Sequence, residues 1–255
     1  MGSVIAKNLL EDGGVTPNQI KVLKRTDTDK IPDLTYIKNT SQLEENYQAD
    51  LVFIAVKPQV AQEILTEFVQ EKIITKNTIF VSILAGKKME FFENIIGQDA
   101  KIIRSMPNLP IEYSQGILPY LSNKNISENE LEAAHNLFKG FGLAFHIKDE
   151  SAFDSLTALF GSGPGYLFLL QEIFTEIALS FGVEQENASK LVKKLFLGSA
   201  LMSNFSKDDF TTLRESVTSK EGVTDAGLKV LRKDNALKTI FVDAIDAAVT
   251  RSKEI

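Results

Sequence analysis

The hydrophobic pattern of the first half of the chain alternates between short apolar runs and amphipathic segments. Apolar runs predict strands at 20–24, 35–38, 51–56, 78–84 and 101–105, the second of them a weak edge strand. Helical spacing predicts helices at 1–11, 41–48, 59–70 and 87–96. Two later strands at 116–121 and 143–148 flank a predicted helix at 128–141. Strands and helices that alternate over short links are typical of a parallel sheet with crossover helices.

The second half of the chain shows helix patterns and almost no strand pattern. They predict helices at 164–182, 185–205, 210–217, 225–232 and 236–254. The first of these is apolar over much of its circumference, so it must be buried. A helical domain of about one hundred residues has a limited core of its own. We therefore expect a domain at 1–149 and a helical domain at 150–255 that forms a homodimer, with a monomeric helical cap as the alternative.

Composition and charge narrow the class of protein. The chain has 255 residues, 44% of them hydrophobic, and a net charge of −6, which disfavours nucleic acid as a partner. It has no cysteine and two histidines, so thiol chemistry is excluded and a multi-histidine metal site is not expected. Its apolar runs are too short to cross a bilayer, and its start lacks a secretory pattern. We expect a cytoplasmic protein without a metal or a membrane partner.

The first strand-helix unit of the predicted sheet is a helix alone. In a Rossmann-like, doubly wound fold, a strand leads into a G-x-G-x-x-G turn, which holds a dinucleotide pyrophosphate at the helix N-terminus. Gly2 stands where the third glycine of that turn would stand. The pattern indicates that the first strand and two glycines are missing. The strands at 20–24 and 51–56 would then each lose a ladder partner across a gap of about 10 Å.

Several strand ends carry residues suited to a dinucleotide. Lys24, Arg25 and Thr26 offer two positive charges and a hydroxyl, which favours the 2′-phosphate of NADP, although a solvated basic strand end is the plainer alternative. The next three strand ends carry turn residues on what should be one edge of the sheet, the edge where α/β folds bind ligands. They are Ala55, Val56, Lys57 and Pro58, then Ala85 and Gly86, then Met106, Pro107 and Asn108.

A second candidate site lies in the helical half. Ser219, Gly222 and Thr224 place hydroxyls and backbone N–H groups just before and within the start of a predicted helix. Such a position suits an anion, and a carboxylate in particular. A simple helix cap is the alternative.

The ordered set of motifs VKPQ, SILAG, RSMPNLP, GSGPGY and LRESVTSKEGVTDAGL resembles the pyrroline-5-carboxylate reductase family. The similarity runs through nearly the whole chain, including the closing DAIDAAVTRSKEI. It implies an enzyme that transfers a hydride from NAD(P)H to the C=N carbon of 1-pyrroline-5-carboxylate and gives L-proline. NADPH is the expected cofactor, with NADH left open.

The resemblance also implies roles for single residues. Ser219, Gly222, Val223 and Thr224 would hold the substrate carboxylate, and Thr224 would be the catalytic group that hydrogen-bonds the ring nitrogen. The family loop reads Ser-Pro-Gly-Gly-x-Thr, whereas this chain has Lys220 and Glu221 at its second and third positions. If the third position needs a positive φ, Glu221 carries a strain of about 1–3 kcal/mol.

The remaining helices resemble an interlocking dimer domain, and family dimers assemble further into decamers. Two other functions stay open. One is a non-catalytic dimeric relative with a binding or regulatory role. The other is a related NADP-dependent imine or hydroxy-acid dehydrogenase, which predicts a catalytic lysine among Lys190, Lys193 and Lys194, although these lysines have the spacing of a solvated face.

Overall fold

The computed structural model describes residues 1–11, 14–25, 30–71 and 73–254. They form two compact units, Met1–Ser162 with Ala248–Ile255, and Gly163–Ala247. The first unit extends beyond residue 149 because Phe153 and its neighbours belong to its core. The division of the chain at 149/150 into a dinucleotide-binding part and a part for dimerisation and substrate binding remains a proposal.

The first unit contains the predicted strands, most of them slightly shorter than expected. The strands are β1 (Lys21–Leu23), β2 (Thr35–Ile37), β3 (Leu51–Ile54), β4 (Ile79–Ser82), β5 (Lys101–Ser105), β6 (Gly116–Ser122) and β7 (Gly142–His146). The helices are α1 (Gly2–Glu11), α2 (Ala61–Gln70), α3 (Met89–Ile96), α4 (Glu128–Lys139) and α5 (Phe153–Leu156).

The strands form two sheets. A five-stranded sheet has the order β3-β4-β5-β6-β7, and a separate parallel pair joins β1 to β2. In the described part of the chain no ladder joins β1 to β3. The Rossmann-like fold class is therefore confirmed.

The predicted parallel arrangement of the strands was wrong at one pair, because β5 and β6 run antiparallel. The link between them contains only a 3₁₀ turn at Leu109–Tyr113, and Ser114 adopts a left-handed conformation with φ of 53°. A parallel connection needs a crossover of a dozen or more residues. The link is too short for one, whereas α4 provides the crossover that keeps β6 and β7 parallel.

The predicted helix at 41–48 was also wrong. This segment holds a 3₁₀ turn at Thr40–Gln42 and a left-handed Asn46 with φ of 63°. The Gln42 side chain accepts a hydrogen bond from the backbone N–H of Lys38 at 2.6 Å. Side chains that bond nearby backbone groups compete with helix formation, which explains the failure of the periodic pattern here.

The core of the first unit consists of two apolar clusters, because neighbouring strand residues point to opposite faces of the sheet. Phe80 and Ile102 belong to the cluster that includes residues of α2 and α3. Val81 and Ile103 belong to the cluster that includes residues of α1 and α4. Helices thus cover both faces of the sheet.

The second unit is helical, as predicted. Its helices are α6 (Gly163–Ser180), α7 (Gln185–Phe205), α8 (Phe210–Ser216), α9 (Val223–Arg232) and most of α10 (Ala236–Lys253). Phe174 of α6 packs edge-on against Phe196 of α7 with ring centres 5.6 Å apart. However, no residue of α6 is buried, and Phe181, Phe205 and Phe210 are each 80% exposed. Apolar exposure on this scale marks an interaction surface.

The start of α4 combines a helix cap with an ion pair. Ser127 and Glu130 form a capping box, and Glu130 also pairs with Lys101 of β5. The hydrogen bond from Lys101, followed by the one from the Ser127 backbone, lowers the pKa of Glu130 to about 2.

We expect Glu130→Gln to lower the free energy of unfolding at neutral pH by about 1–2 kcal/mol, after allowance for solvent screening. The folded-state pKa lies below the ordinary value of 4.5, so the contribution is present above that value and is lost as the pH falls toward 2. In urea unfolding, the difference from wild type should therefore narrow between about pH 5 and pH 3. Glu132→Gln, at an exposed position of the same helix, is the control. A difference that stays constant over this range would contradict the assignment.

Candidate active site

The start of α1 lies against the end of β3. A Cβ atom built on Gly2 would lie 3.1 Å from the Cβ of Ala55, which is closer than nearly all such contacts. Glycine therefore allows the helix and the strand end to meet. The first N–H groups of a helix and its dipole favour a negative group such as a phosphate. The structure thus brings Gly2 and Ala55, both predicted cofactor residues, to one place.

The ends of β3, β4 and β5 lie on one edge of the sheet. The register pairs Ile54 with Ser82, and Ser82 with Arg104, so the segments that follow the three strands start side by side. Gly86 has φ of 72°, a left-handed conformation that favours glycine. The structure therefore gathers the predicted residues Ala55, Val56, Lys57, Pro58, Ala85, Gly86, Met106, Pro107 and Asn108. We call this edge the strand-end rim.

Asn108 holds the rim together. It is 5% exposed, and its Nδ2 donates to the carbonyl of Phe160 at 3.0 Å. Its Oδ1 accepts from the backbone N–H of Ile117 at 2.8 Å. Both polar ends of the side chain are thus engaged inside the unit. Its predicted cofactor contact stays untested, and the geometry indicates a role in fixing the loop after β5.

An ion pair between a buried arginine and a partly exposed glutamate, which sequence reasoning missed, anchors the same loop. Arg104 is 3% exposed, pairs with Glu150, and has its guanidinium 4.4 Å from the ring centre of Phe153. Glu150 also accepts from the backbone N–H of Met89 at 2.8 Å. Burial lowers the pKa of Arg104, and the bond to Glu150 opposes that shift. A lone arginine in the apolar strand KIIRS was the available signal for this pair.

At the basic end of β1, the positive charge of Arg25 is already paired with carboxylates. Arg25 Nη2 lies 2.9 Å from Glu63 Oε1 and 3.7 Å from Glu67 Oε2, and both glutamates belong to α2. The backbone N–H of Lys24 donates to the carbonyl of Ile37 at 2.9 Å. Thr26, the third predicted residue of this group, lies outside the described residues. The sequence pattern did not indicate the two carboxylates.

In the second unit, the predicted anion loop forms the start of α9. The N–H of Gly222 donates to the carbonyl of Ser219 at 3.0 Å, and a Cβ on Gly222 would lie 2.1 Å from Ser219 Oγ. A side chain at this position would displace the Ser219 hydroxyl and crowd its carbonyl, so glycine suits this close approach. The helix begins at Val223, two residues before the predicted start, so Thr224 lies in its first turn. Ser219, Val223 and Thr224 are exposed and close to one another along the turn.

Glu221 in this loop has φ of 57°, so the condition under which it would be strained is met. Its N–H donates to Asp225 Oδ2 at 3.2 Å. Lys229 pairs with Asp225 at 2.8 Å and lowers the pKa of that carboxyl group. The loop is therefore held by Asp225 even though Glu221 is strained.

Comparisons with known proteins agree across both units. Residues 150–255 match the family profile described as pyrroline-5-carboxylate reductase dimerisation, and residues 1–86 match the profile described as NADP oxidoreductase coenzyme F420-dependent. The chain is 33% identical to a pyrroline-5-carboxylate reductase of Pseudomonas aeruginosa, over 84% of this chain and 78% of that protein. It is 30% identical to the Arabidopsis thaliana enzyme of the same name, over 100% and 92% of the two chains.

The chain belongs to the pyrroline-5-carboxylate reductase family. Among solved structures, it resembles the Plasmodium falciparum pyrroline carboxylate reductase with NADP bound, with a TM-score of 0.86 and 27% identity. The match covers 100% of this chain and 94% of that one. The motifs that carry the resemblance in the sequence therefore lie in a chain whose whole fold also matches the family.

As a member of the pyrroline-5-carboxylate reductase family, the chain carries a domain that is associated with oligomer formation. Within the described residues, no three histidine, aspartate or glutamate side chains are grouped so that they could hold a metal ion. Over the same residues, no helix is both long enough and apolar enough to pass through a bilayer.

We expect Glu150→Ala to destabilise the first unit by about 1–3 kcal/mol, because it leaves the buried Arg104 guanidinium without its counter-charge, while water can reach the site through the partly exposed Glu150 position. Urea unfolding measures the loss, and Glu90→Ala, an exposed change on α3, is the control. The double variant Arg104→Met with Glu150→Gln should recover most of the stability. Equal losses for Glu150→Ala and Glu90→Ala would argue against the ion pair.

We expect Glu221→Gly to unfold at higher urea concentration than Glu221→Ala, by about 1 kcal/mol in free energy, because only glycine relieves the left-handed strain. The alanine variant removes the same charge and keeps the strained backbone, so the comparison isolates φ. If the alanine variant is as stable as the glycine variant, Glu221 is not strained.

Proposed function

We propose that this chain is an NADPH-dependent reductase that converts 1-pyrroline-5-carboxylate to L-proline by hydride transfer to the C=N carbon. One observation carries the proposal. A single chain of this family has, in its first unit, the strand-end rim with the start of α1, which suits a dinucleotide, and, in its second unit, the glycine-bounded start of α9, which suits a carboxylate.

The first unit fits a dinucleotide. A Cβ on Gly2 would fill the space between Gly2 and Ala55. Because Gly2 has none, the N-terminus of α1 stays open to a pyrophosphate. Lys24 and Arg25 would face the 2′-phosphate, and the strand-end rim would line the cofactor. A bound nicotinamide supplies the hydride. The protein has to orient it, exclude water and hold the imine in place.

The second unit fits a small anionic imine. The free backbone N–H groups at the start of α9, that of Val223 among them, and the hydroxyl of Ser219 would hold the substrate carboxylate. Gly222, whose own N–H donates to Ser219, would let the carboxylate approach the backbone. Thr224, exposed in the first turn, would donate a hydrogen bond to the ring nitrogen. Such a bond draws electron density from the C=N carbon and makes it a better hydride acceptor. Thr224 is therefore the proposed catalytic residue.

The apolar faces of the second unit support a homodimer, because α6 has no buried residue in the single chain. Assembly of dimers into a decamer, the absence of nucleic-acid or membrane partners, and a cytoplasmic location remain part of the proposal. Each of these follows from the family resemblance or from composition and charge.

A dehydrogenase with a catalytic lysine is the less favoured alternative. Lys190, Lys193 and Lys194 are all exposed in the single chain, and Lys190 pairs with Glu186 at 2.5 Å. These features fit a solvated helix face. A non-catalytic relative is the other alternative, and turnover distinguishes it from the enzyme.

We expect the chain to oxidise NADPH when 1-pyrroline-5-carboxylate is added, and to form proline in equal amount. Thr224→Val should lower kcat/KM by about 10²- to 10⁴-fold, because valine keeps the shape of the side chain but lacks the hydroxyl that donates the proton. Thr224→Ser should retain most of the rate. Thr211→Val, an exposed threonine on α8, is the matched control.

Proline formation should be followed directly, alongside the loss of NADPH absorbance. A chain that binds NADP⁺ but never forms proline would support the non-catalytic relative. A Thr224→Val variant with the wild-type rate would remove Thr224 from the mechanism and leave the family assignment in place.

A further inference from the structure

We propose that Glu63 and Glu67 of α2 tune the ratio of NADPH affinity to NADH affinity in this enzyme, because they compete with the 2′-phosphate of NADPH for Arg25. The inference rests on the proposed function in placing the cofactor on the first unit. It adds two residues that the family resemblance did not assign.

The three side chains form a cluster in which the two glutamates differ in exposure and in distance from Arg25. Arg25 is about half exposed and lies 2.9 Å from Glu63 and 3.7 Å from Glu67. The side chain of Glu63 is 63% exposed, whereas that of Glu67 is 28% exposed. The carboxylate of Glu67 is also held in place by a second residue, because the hydroxyl of the buried Thr40 donates to its Oε1 at 2.6 Å. Glu63 is thus the exchangeable partner of Arg25, and Glu67 is the fixed one.

The charge of this cluster works against a 2′-phosphate. That group carries about −1.5 to −2 charges at pH 7 and is held best by an arginine that is free to donate two hydrogen bonds. For NADPH, Arg25 must leave Glu63 while the Glu67 carboxylate stays close. Glu63 and Glu67 thus share the one guanidinium of Arg25, which weakens its attraction for the phosphate.

The same cluster suits NADH. A carboxylate at the end of the second strand of a dinucleotide fold typically accepts a hydrogen bond from the ribose 2′-hydroxyl of NAD. Here the carboxylate comes from α2 instead of the strand. Glu63 lies beside Arg25 at an exposed position and can accept that bond without breaking the ion pair. Both cofactors are therefore admitted, and the glutamates determine the ratio.

The test measures binding, without turnover. Isothermal titration of wild type and Glu63→Gln with NADP⁺ and NAD⁺ gives the ratio of their dissociation constants. Titration with adenosine 2′,5′-bisphosphate and adenosine 5′-monophosphate isolates the 2′-phosphate. We expect Glu63→Gln to shift both ratios toward the phosphorylated ligand by about 3- to 10-fold.

Glu44→Gln is the matched control. Glu44 is an exposed glutamate that pairs with Lys21 at the other end of β1, so its substitution changes the charge equally without touching Arg25. Arg25→Ala supplies the second arm. In an Arg25→Ala background, Glu63→Gln should change the ratios much less, because Glu63→Gln acts by releasing the Arg25 guanidinium and that group is then absent.

A Glu63→Gln shift of less than about 2-fold, or an equal shift in Glu44→Gln, overturns the inference. So does a full effect of Glu63→Gln in the absence of the Arg25 guanidinium. These results are separable from the proposed function. Normal proline formation with an unmoved ratio rejects only the role of Glu63, whereas a moved ratio without proline formation rejects only the reaction.

Discussion

The close approach of α1 to the end of β3 is the constraint on which the first unit depends. A helix N-terminus can present its N–H groups to a ligand at a sheet edge only if no side chain separates the helix from the strand. Gly2 meets that requirement against Ala55, where an added Cβ would come within 3.1 Å. The parallel register of β3, β4 and β5 then brings the neighbouring strand ends to the same edge.

Paired charges decide which cations of this unit are available to a ligand. Arg104 is buried, pairs with the partly exposed Glu150 and lies over the ring of Phe153, so its charge stabilises the end of β5 and is not available to a ligand. Arg25 is exposed but shared with two carboxylates of α2. A basic residue next to a cofactor site is thus only as attractive to phosphate as its neighbours allow.

Periodicity predicted most elements because each strand is buried on a sheet and each helix has an apolar stripe. It failed at 41–48, where Gln42 bonds the backbone and Asn46 is left-handed, since a helical pattern does not report such local competition. It missed the reversal of β6, although the short link before Gly116 was a usable signal. The strain at Glu221 could be foreseen because the family loop has a glycine at this position, which suggests a positive φ. The partners of Arg25 could not, because contacts between distant segments leave no pattern along the chain.

Hydrogen–deuterium exchange of the full chain, with and without saturating NADP⁺, tests the placement of the cofactor most directly. The account predicts slower exchange in peptides that cover the start of α1 and the segments after β3, β4 and β5, with little change in α4. Unchanged exchange in all four of those segments, or slowing confined to residues 163–247, would contradict it.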